Sequence, residues 1–119
     1  LLTNIDPEEL DLFADRQMVE QVLINLLQNC EHALAPVDHG EVVMTARLNK
    51  RGHVTIEVSD NGPGIPQETI PRIFVPFFTT RREGSGVGLA LSRQVMLAHS
   101  GAISFANNDR GGARFTLAF

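Results

Sequence analysis

Apolar residues recur at helical spacing in the longest periodic segment of the chain, which follows Asp15 and stops at Pro36. An aspartate before such a segment is a typical N-cap, and proline cannot continue a helix. The segment therefore predicts one amphipathic helix with a broad apolar stripe. The stripe consists of Val19, Val22, Leu23, Leu26, Leu27, Cys30, Ala33 and Leu34.

Apolar and polar residues alternate on both sides of the turn residues 49–52. Residues 41–48 and 53–59 therefore predict two strands that pair as an antiparallel hairpin. Near the N-terminus, residues 10–14 alternate weakly and predict a short strand, whereas residues 1–9 show no clear pattern.

A second strand pair is predicted at the C-terminal end of the chain. Residues 102–106 and 113–119 flank a turn at residues 107–112 that is rich in asparagine and glycine. The same alternation and turn chemistry as in the first pair predict a second antiparallel hairpin.

Two further helices are predicted between the strand pairs. Residues 66–73 predict a short one, with Pro66 near its first position. A longer one follows a glycine-rich stretch, runs to about His99 and stops at Gly101. Its buried face is predicted to consist of Val87, Leu91, Val95 and Ala98.

These elements predict one domain over residues 1–119. Its fold class is α/β (α+β), a two-layer sandwich in which a mixed sheet of about five strands carries three helices on one face. A chain of 119 residues is long enough for one core and too short for two. Because the chain begins with Leu1 rather than Met, we interpret it as a fragment of a larger protein.

Composition narrows the classes of function. The net charge of −4 and the scattered basic residues argue against a nucleic-acid surface. No apolar run approaches the roughly 20 residues of a membrane span, and no signal peptide is visible. The single cysteine, Cys30, cannot form an internal disulfide, so we interpret it as a core residue in a reducing, cytoplasmic setting.

The polar stretch after the second strand has two interpretations. It is an ordinary turn capped by an aspartate, or a cleft in which a flat ligand lies against glycine backbone. In the second case the carboxylate would accept a hydrogen bond from an exocyclic amine. The stretch consists of Asp60, Asn61, Gly62, Pro63, Gly64 and Ile65.

Asn25, Asn29 and His32 are spaced i, i+4 and i+7, so they share one face of the first helix, beside the apolar stripe. Asparagine is a poor helix former, so two on one face need a reason. The face is either a solvated helix edge or the polar lining of a cleft beside the core.

Two unusual stretches precede the last helix. Three of the seven phenylalanines lie within residues 74–78, and a polar, basic stretch with Thr80 and Arg81 follows. Next come Gly84, Ser85, Gly86, Val87, Gly88 and Leu89. Glycines at the start of a helix let backbone N–H groups converge on an anion, although a flexible linker has the same composition. No Lys follows the last glycine, so the stretch is not a Walker loop.

Four stretches, in this order, resemble the motifs of one family. Residues 25–29 resemble its N box, residues 60–65 its first glycine box, residues 74–81 its F box in the form of short-lid kinases, and residues 84–90 its second glycine box. From Asp15 onward, the chain is similar to the catalytic and ATP-binding domain of sensor histidine kinases, within the Bergerat-fold (GHKL) ATPase superfamily.

The resemblance implies a role for each matching residue. Asp60 would bind the adenine amino group, with Gly62, Gly64 and Ile65 close by. Asn29 would be a catalytic ligand of Mg²⁺, with Asn25 and His32 on the phosphate side. A lid of residues 67–83 would contribute Thr80 and the catalytic Arg81. Backbone N–H groups around the phosphates would come from Gly84, Ser85, Gly86, Val87, Gly88 and Leu89.

The resemblance also implies cofactors and partners. The domain would bind ATP and Mg²⁺ and transfer the γ-phosphate to a histidine on a separate dimerisation domain, and so act indirectly on a response regulator. It would touch neither nucleic acid nor membrane, would be a monomer in isolation, and would belong to the cytoplasmic part of a sensor.

The chain departs from the family pattern at several positions. His32 stands where many members have Lys or Arg, and Ala33 where some have an aromatic residue. Either change would weaken a contact with the nucleotide. The four histidines, His32, His39, His53 and His99, all lack the sequence context of the family's phosphoacceptor, since none is followed directly by an acidic residue.

Three other functions remain as alternatives. A hydrolase of the same superfamily would carry Glu at position 25, where this chain has Asn25. A regulatory module with a degenerate nucleotide site is a second alternative, and a serine-kinase anti-sigma factor is a third.

Overall fold

The computed structural model describes residues 1–6, 12, 14–77, 87–108 and 111–119. In chain order its elements are β1 (Leu2–Asp6), α1 (Arg16–Leu34), β2 (Val42–Leu48), β3 (Val54–Asp60), α2 (Gly88–Ala98), β4 (Ala102–Asn107) and β5 (Ala113–Ala118). A 3-10 turn, Ile70–Arg72, lies between β3 and α2.

The five strands form one mixed sheet in the order β1-β2-β3-β5-β4. β1 is parallel to β2, and the other three pairs are antiparallel. The predicted mixed sheet and both predicted hairpins are confirmed.

β1 was not predicted, because its residues show no alternation. It is an edge strand whose apolar side chains are largely exposed, with Leu2 at 55% and Ile5 at 45%. Most of the strand predicted at residues 10–14 lies outside the described residues, and the two that are described, Leu12 and Ala14, are not in a strand.

The first helix begins and ends where the sequence predicts. The Asp15 carboxylate accepts a hydrogen bond from the backbone N–H of Met18 at 3.1 Å, which caps the first turn. The predicted apolar stripe contains the buried residues of α1, which are Val19, Val22, Leu26 and Cys30.

The core lies between one face of the sheet and the two helices. Side chains alternate between buried and half-buried along β3 and β5, as a sheet with one covered face requires. Leu26 of α1, Met96 of α2 and Leu117 of β5 are fully buried in one cluster. On the opposite face, Arg47 and Glu57 form an ion pair at 3.2 Å. The predicted two-layer arrangement is confirmed.

The predicted third helix, residues 66–73, is wrong. Only the turn Ile70–Arg72 forms there, and its hydrogen bonds join residues three apart, such as Arg72 N–H to the Thr69 carbonyl at 2.9 Å. Pro71 has no N–H to bond four residues back, and its ring opposes an α-helix at that point. The described residues therefore contain two α-helices instead of the three predicted.

The predicted buried face of α2 is only partly confirmed, since Val95 is half-buried against the core but Ala98 is exposed. Ser92 and Met96 are the buried residues, whereas Leu91 is 56% exposed. A buried serine is tolerated because its hydroxyl donates to the Gly88 carbonyl at 2.9 Å. A pattern of apolar residues does not include a serine, so the sequence pattern predicted Leu91 on the buried face instead.

Candidate functional site

Asp60 is the last residue of β3 and one of two buried polar side chains among the described residues, with 6% exposure. The N–H groups of Gly62 and Ala113 both donate to its Oδ1, at 2.9 and 3.3 Å. A carboxylate has about four acceptor positions on two oxygens. Among the described residues, backbone N–H groups therefore bond one oxygen of Asp60, Oδ1, and none of them bonds Oδ2.

The Asp60 loop, residues 60–65, is held by Asn61. Its Oδ1 accepts from the Glu41 N–H at 2.7 Å, and its Nδ2 donates to the His39 carbonyl at 3.0 Å. Gly62 is buried, and a Cβ there would lie 3.1 Å from the Asp60 carboxylate. Asn61 thus anchors the loop to the segment before β2, and Gly62 keeps space around the carboxylate.

Gly64 is required by two features of its position. Its φ of +75° is in the left-handed region, and a Cβ there would lie 2.6 Å from Asn107 Oδ1. The Asn107 amide also bonds the half-buried Ile65 twice: it accepts from the Ile65 N–H and donates to the Ile65 carbonyl, each at 3.0 Å. The loop is therefore docked against the turn between β4 and β5.

This docking involves residues that the sequence analysis missed. Asn108 Nδ2 donates to the Asp60 carbonyl at 2.9 Å, and Asn108 Oδ1 accepts from the Gly112 N–H at 3.0 Å. A Cβ at Gly112 would overlap the Asp60 carbonyl. Adjacent asparagines in a glycine-rich turn were the available signal, because their amides readily bond backbone groups.

The three polar residues of α1 differ in their surroundings. Asn25 and Asn29 are half-buried, and His32 is exposed. The Asn25 amide donates to the Gly88 carbonyl at 3.3 Å and to Ser92 Oγ at 3.4 Å, and accepts from Gln21 at 3.1 Å.

The Asn29 amide has no hydrogen-bond partner in the part of the chain that the structure describes. Of the two asparagines, Asn25 thus joins the helices, and Asn29 is available to a ligand.

The beginning of α2 lies beside Asn25. Val87, Gly88 and Leu89 are half-buried there, and the first N–H groups of an α-helix have no acceptor within the helix. The remaining predicted phosphate residues, Thr80, Arg81, Gly84, Ser85 and Gly86, lie outside the described residues, as does the second part of the predicted lid.

The phenylalanine-rich stretch divides into a core part and an exposed part. Phe74 packs edge-on against Phe115, with ring centroids 6.5 Å apart. Phe77 is 78% exposed and has a φ of +68°. The stretch therefore attaches the chain to the core at Phe74 and leads away from it by Phe77.

Cys30 is a buried neighbour of the carboxylate. Burial first, and then the charge of Asp60 and a hydrogen bond to it, raise the pKa of Cys30 to about 12. The thiol is therefore protonated at neutral pH, and it fills the core as predicted.

Comparison with known proteins decides the family. The sequence model of the family of histidine kinase-, DNA gyrase B-, and HSP90-like ATPases matches residues 14–119 of the chain. The chain belongs to this family.

Relatives of this ATPase domain include sensor proteins and histidine kinases. Sensor protein FixL of Bradyrhizobium diazoefficiens is 40% identical over 116 residues, which are 96% of this chain and 23% of that protein. The solved catalytic domain of histidine kinase ThkA is 34% identical with a TM-score of 0.86, over 99% of this chain and 77% of that one. ThkA in complex with the response regulator TrrA matches with a TM-score of 0.79 and 34% identity, over 99% of this chain and 33% of that one.

These matches identify an ATP-binding catalytic domain of the sensor histidine kinase type. The domain spans less than a quarter of the length of FixL. Within the described ranges, no helix of the kinase domain combines the length and apolarity that a bilayer crossing needs.

Proposed function

We propose that this chain binds Mg-ATP between α1, the Asp60 loop and the start of α2, and transfers the γ-phosphate to a histidine on a separate dimerisation domain. The observation that carries the proposal is the buried Asp60 carboxylate, of which only one oxygen accepts from the backbone of the described residues. Such a group is positioned to accept from a ligand's amine in a largely dehydrated cleft.

The base end of the nucleotide is assigned to the Asp60 loop. The adenine amino group donates to Asp60, and the ring lies beside the backbone of Gly62, Gly64 and Ile65. The docked turn between β4 and β5 supports this assignment, because it holds the loop rigidly before a ligand arrives. Ala33 offers no ring surface to stack on the base, so the hydrogen bond carries most of the selectivity.

The metal is assigned to Asn29. Mg²⁺ prefers oxygen ligands and keeps several waters, so one amide oxygen together with phosphate oxygens is a suitable set. The unpartnered, half-buried Asn29 amide fits this role, and the described residues contain no alternative group of three or more His, Cys, Asp and Glu side chains. When bound, the metal supplies neutralisation of phosphate charge.

The phosphates are assigned to the beginning of α2 and to the glycine-rich stretch before it. The N–H groups of Val87, Gly88 and Leu89 lie at the positive end of the helix and suit an anion. Gly84, Ser85, Gly86, Thr80 and Arg81 are proposed to complete this end, with Arg81 on a phosphate oxygen. His32, exposed on α1, offers a weaker charge than Lys or Arg would.

In the transfer step, an imidazole nitrogen of the acceptor histidine forms a bond to the γ-phosphorus. The bond from that phosphorus to the bridging oxygen breaks, and ADP leaves with the electron pair. Positioning and charge neutralisation supply most of the rate in such reactions, so the domain's part is to hold the nucleotide.

ATP hydrolysis is the less favoured function. In hydrolases of the superfamily a Glu at position 25 would activate water, and here the Asn25 amide is engaged with α2. Glu31 is exposed and lies two residues beyond Asn29, on a different side of the helix.

The proposed setting is the cytoplasmic part of a sensor kinase. The partners are the phosphoacceptor domain of the same kinase and, indirectly, a response regulator, as in the complex of ThkA with TrrA. We expect the isolated chain to be a monomer without contact to nucleic acid or membrane.

Labelled Mg-ATP tests the proposal when it is incubated with this chain and the cognate two-helix dimerisation domain. We expect an acid-labile phosphohistidine on the dimerisation domain, little label on this chain, and very slow hydrolysis by the chain alone. Asn29→Ala abolishes transfer, whereas Gln28→Ala, an exposed neighbour on the same helix, serves as the matched control. ATP turnover by the isolated chain on the order of 1 s⁻¹ or faster would favour the hydrolase instead.

A further inference from the structure

Ser92 is the second buried polar side chain among the described residues, and it has no part in the site as proposed above. Its exposure is 0%, and it lies in α2 one turn after Gly88. Polar side chains are rarely buried completely unless hydrogen bonds hold them. The position therefore requires an explanation beyond filling the core, which an alanine would do as well.

The hydroxyl of Ser92 belongs to a small network between the two helices. It donates to the Gly88 carbonyl at 2.9 Å and is approached by Asn25 Nδ2 at 3.4 Å. Asn25 Nδ2 is also 3.3 Å from the Gly88 carbonyl. Gln21 donates to the Asn25 oxygen at 3.1 Å and thereby orients the amide with its nitrogen toward α2.

The network joins two parts of the site that must be held in register. Gly88 is the first residue of α2, where phosphate oxygens are assigned, and Asn25 is one helical turn from the proposed metal ligand Asn29. A serine that bonds only the carbonyl four residues back is a common local feature of helices. The bonds from Asn25 distinguish Ser92, because they extend the contact to the other wall of the cleft.

We propose that Ser92 is a positioning residue for phosphate binding, which acts through Gly88 and Asn25 to fix the start of α2 relative to Asn29. The inference rests on the proposed function and adds a residue outside the motifs that carry it. Ser92 itself touches no ligand, since it is fully buried beneath the first turn of α2.

The test compares two ligands that share the base and differ in the phosphates, Mg-ATP and adenosine, by NMR titration. Since one bond of this kind contributes modestly, we expect Ser92→Ala to weaken Mg-ATP binding by about threefold to tenfold. Adenosine binding stays unchanged, because the Asp60 end is not part of the network. Ser92→Thr keeps the hydroxyl and restores Mg-ATP affinity, and Ser104→Ala, an exposed serine of β4, is the matched control.

A merely structural role gives a different result. If Ser92→Ala weakened the binding of adenosine and of Mg-ATP by the same factor, or weakened the binding of neither ligand, the positioning role would be wrong. Should Ser92→Ala fail to fold in urea titrations, Ser92→Cys carries the same two-ligand comparison, because it keeps nearly the same shape and replaces the hydroxyl with a weak hydrogen-bond donor.

A double-mutant cycle separates this inference from the proposed function. Asn25→Ala and Ser92→Ala together are expected to cost no more Mg-ATP affinity than the worse single variant, because both break one network. If the wild-type chain does not bind Mg-ATP, the proposed function fails. The same cycle, measured on urea unfolding, then still decides whether Asn25 and Ser92 are coupled, and strict additivity would overturn the network itself.

Discussion

Replacing Asp60 with asparagine exchanges one carboxylate oxygen for an NH₂ group at almost constant volume. The amide oxygen of Asp60→Asn can still accept from the N–H groups of Gly62 and Ala113, which bond a single oxygen in the wild type. The new NH₂ then stands where Oδ2 was. It presents a donor to the adenine amine, which is itself a donor, and the negative charge is lost.

The expected cost is that of one charge-assisted hydrogen bond in a dehydrated cleft, about 1.5–3 kcal/mol of ATP affinity. This corresponds to a dissociation constant raised roughly 10- to 150-fold. Asp60→Ala should behave differently, because it leaves two buried N–H groups without an acceptor and so lowers the free energy of unfolding by about 1–3 kcal/mol per group.

Isothermal titration calorimetry with Mg-ATP measures the affinity, and urea unfolding measures the stability of the same samples. Asp38→Asn, in the exposed segment between α1 and β2, is the control for a changed net charge. Unchanged ATP affinity in a folded Asp60→Asn protein would refute the placement of the adenine amine on this carboxylate.

Three further outcomes are expected. His32→Lys places a permanent charge on the exposed edge of α1 and should tighten Mg-ATP binding a few-fold at low salt, because exposed ion pairs contribute about 0.2–1 kcal/mol. Looser Mg-ATP binding, measured by calorimetry, would contradict the placement of His32 on the phosphate side. The pKa of Cys30 is about 12 in the folded chain against an ordinary 9.0. Above pH 9 the unfolded chain therefore loses the thiol proton while the folded chain still retains it. The free energy of unfolding should then fall by at most about 1.4 kcal/mol per pH unit. In urea titrations, Cys30→Ala should lack this contribution to the pH dependence. Gly112→Ala should destabilise the chain by about 1–3 kcal/mol and weaken ATP binding, because its Cβ overlaps the Asp60 carbonyl. Gly52→Ala, in the turn between β2 and β3 at a φ of +77°, meets no atom within 4 Å and should lower stability alone. Equal ATP affinities in the two variants would therefore count against the docked turn.

Local sequence signals were sufficient for the elements whose causes are local. The cap at Asp15 and the apolar period determine α1, and the alternation on both sides of a turn determines each hairpin. β1 escaped prediction because an exposed edge strand needs no alternation. The helix expected at residues 66–73 failed at Pro71, where the missing N–H outweighed a favourable start at Pro66.

The residues of the candidate site also divide into those that have a local sequence signal and those that have none. Asp60 and Asn29 could be proposed as site residues from the sequence because each lies in a compact motif, at the end of a strand or on one helix face. Asn107, Asn108 and Ser92 could not, because their significance comes from partners far away along the chain. A hydrogen bond between residues 42 or more apart leaves no periodic trace in the sequence of either segment.

The docking of the last hairpin onto the Asp60 loop also determines when, during folding, a nucleotide can first be recognised. The contacts that hold the loop join residues 42, 48 and 53 positions apart, so their formation waits for the closure of long chain segments. A partly folded chain with α1 and the first hairpin in place would still lack the rigid base end. ATP should therefore bind only the completed fold and stabilise it by mass action, by about 2.7 kcal/mol at a hundredfold excess over the dissociation constant. In a cell with abundant nucleotide, the last hairpin to dock would thereby be held in place by the ligand whose site it completes.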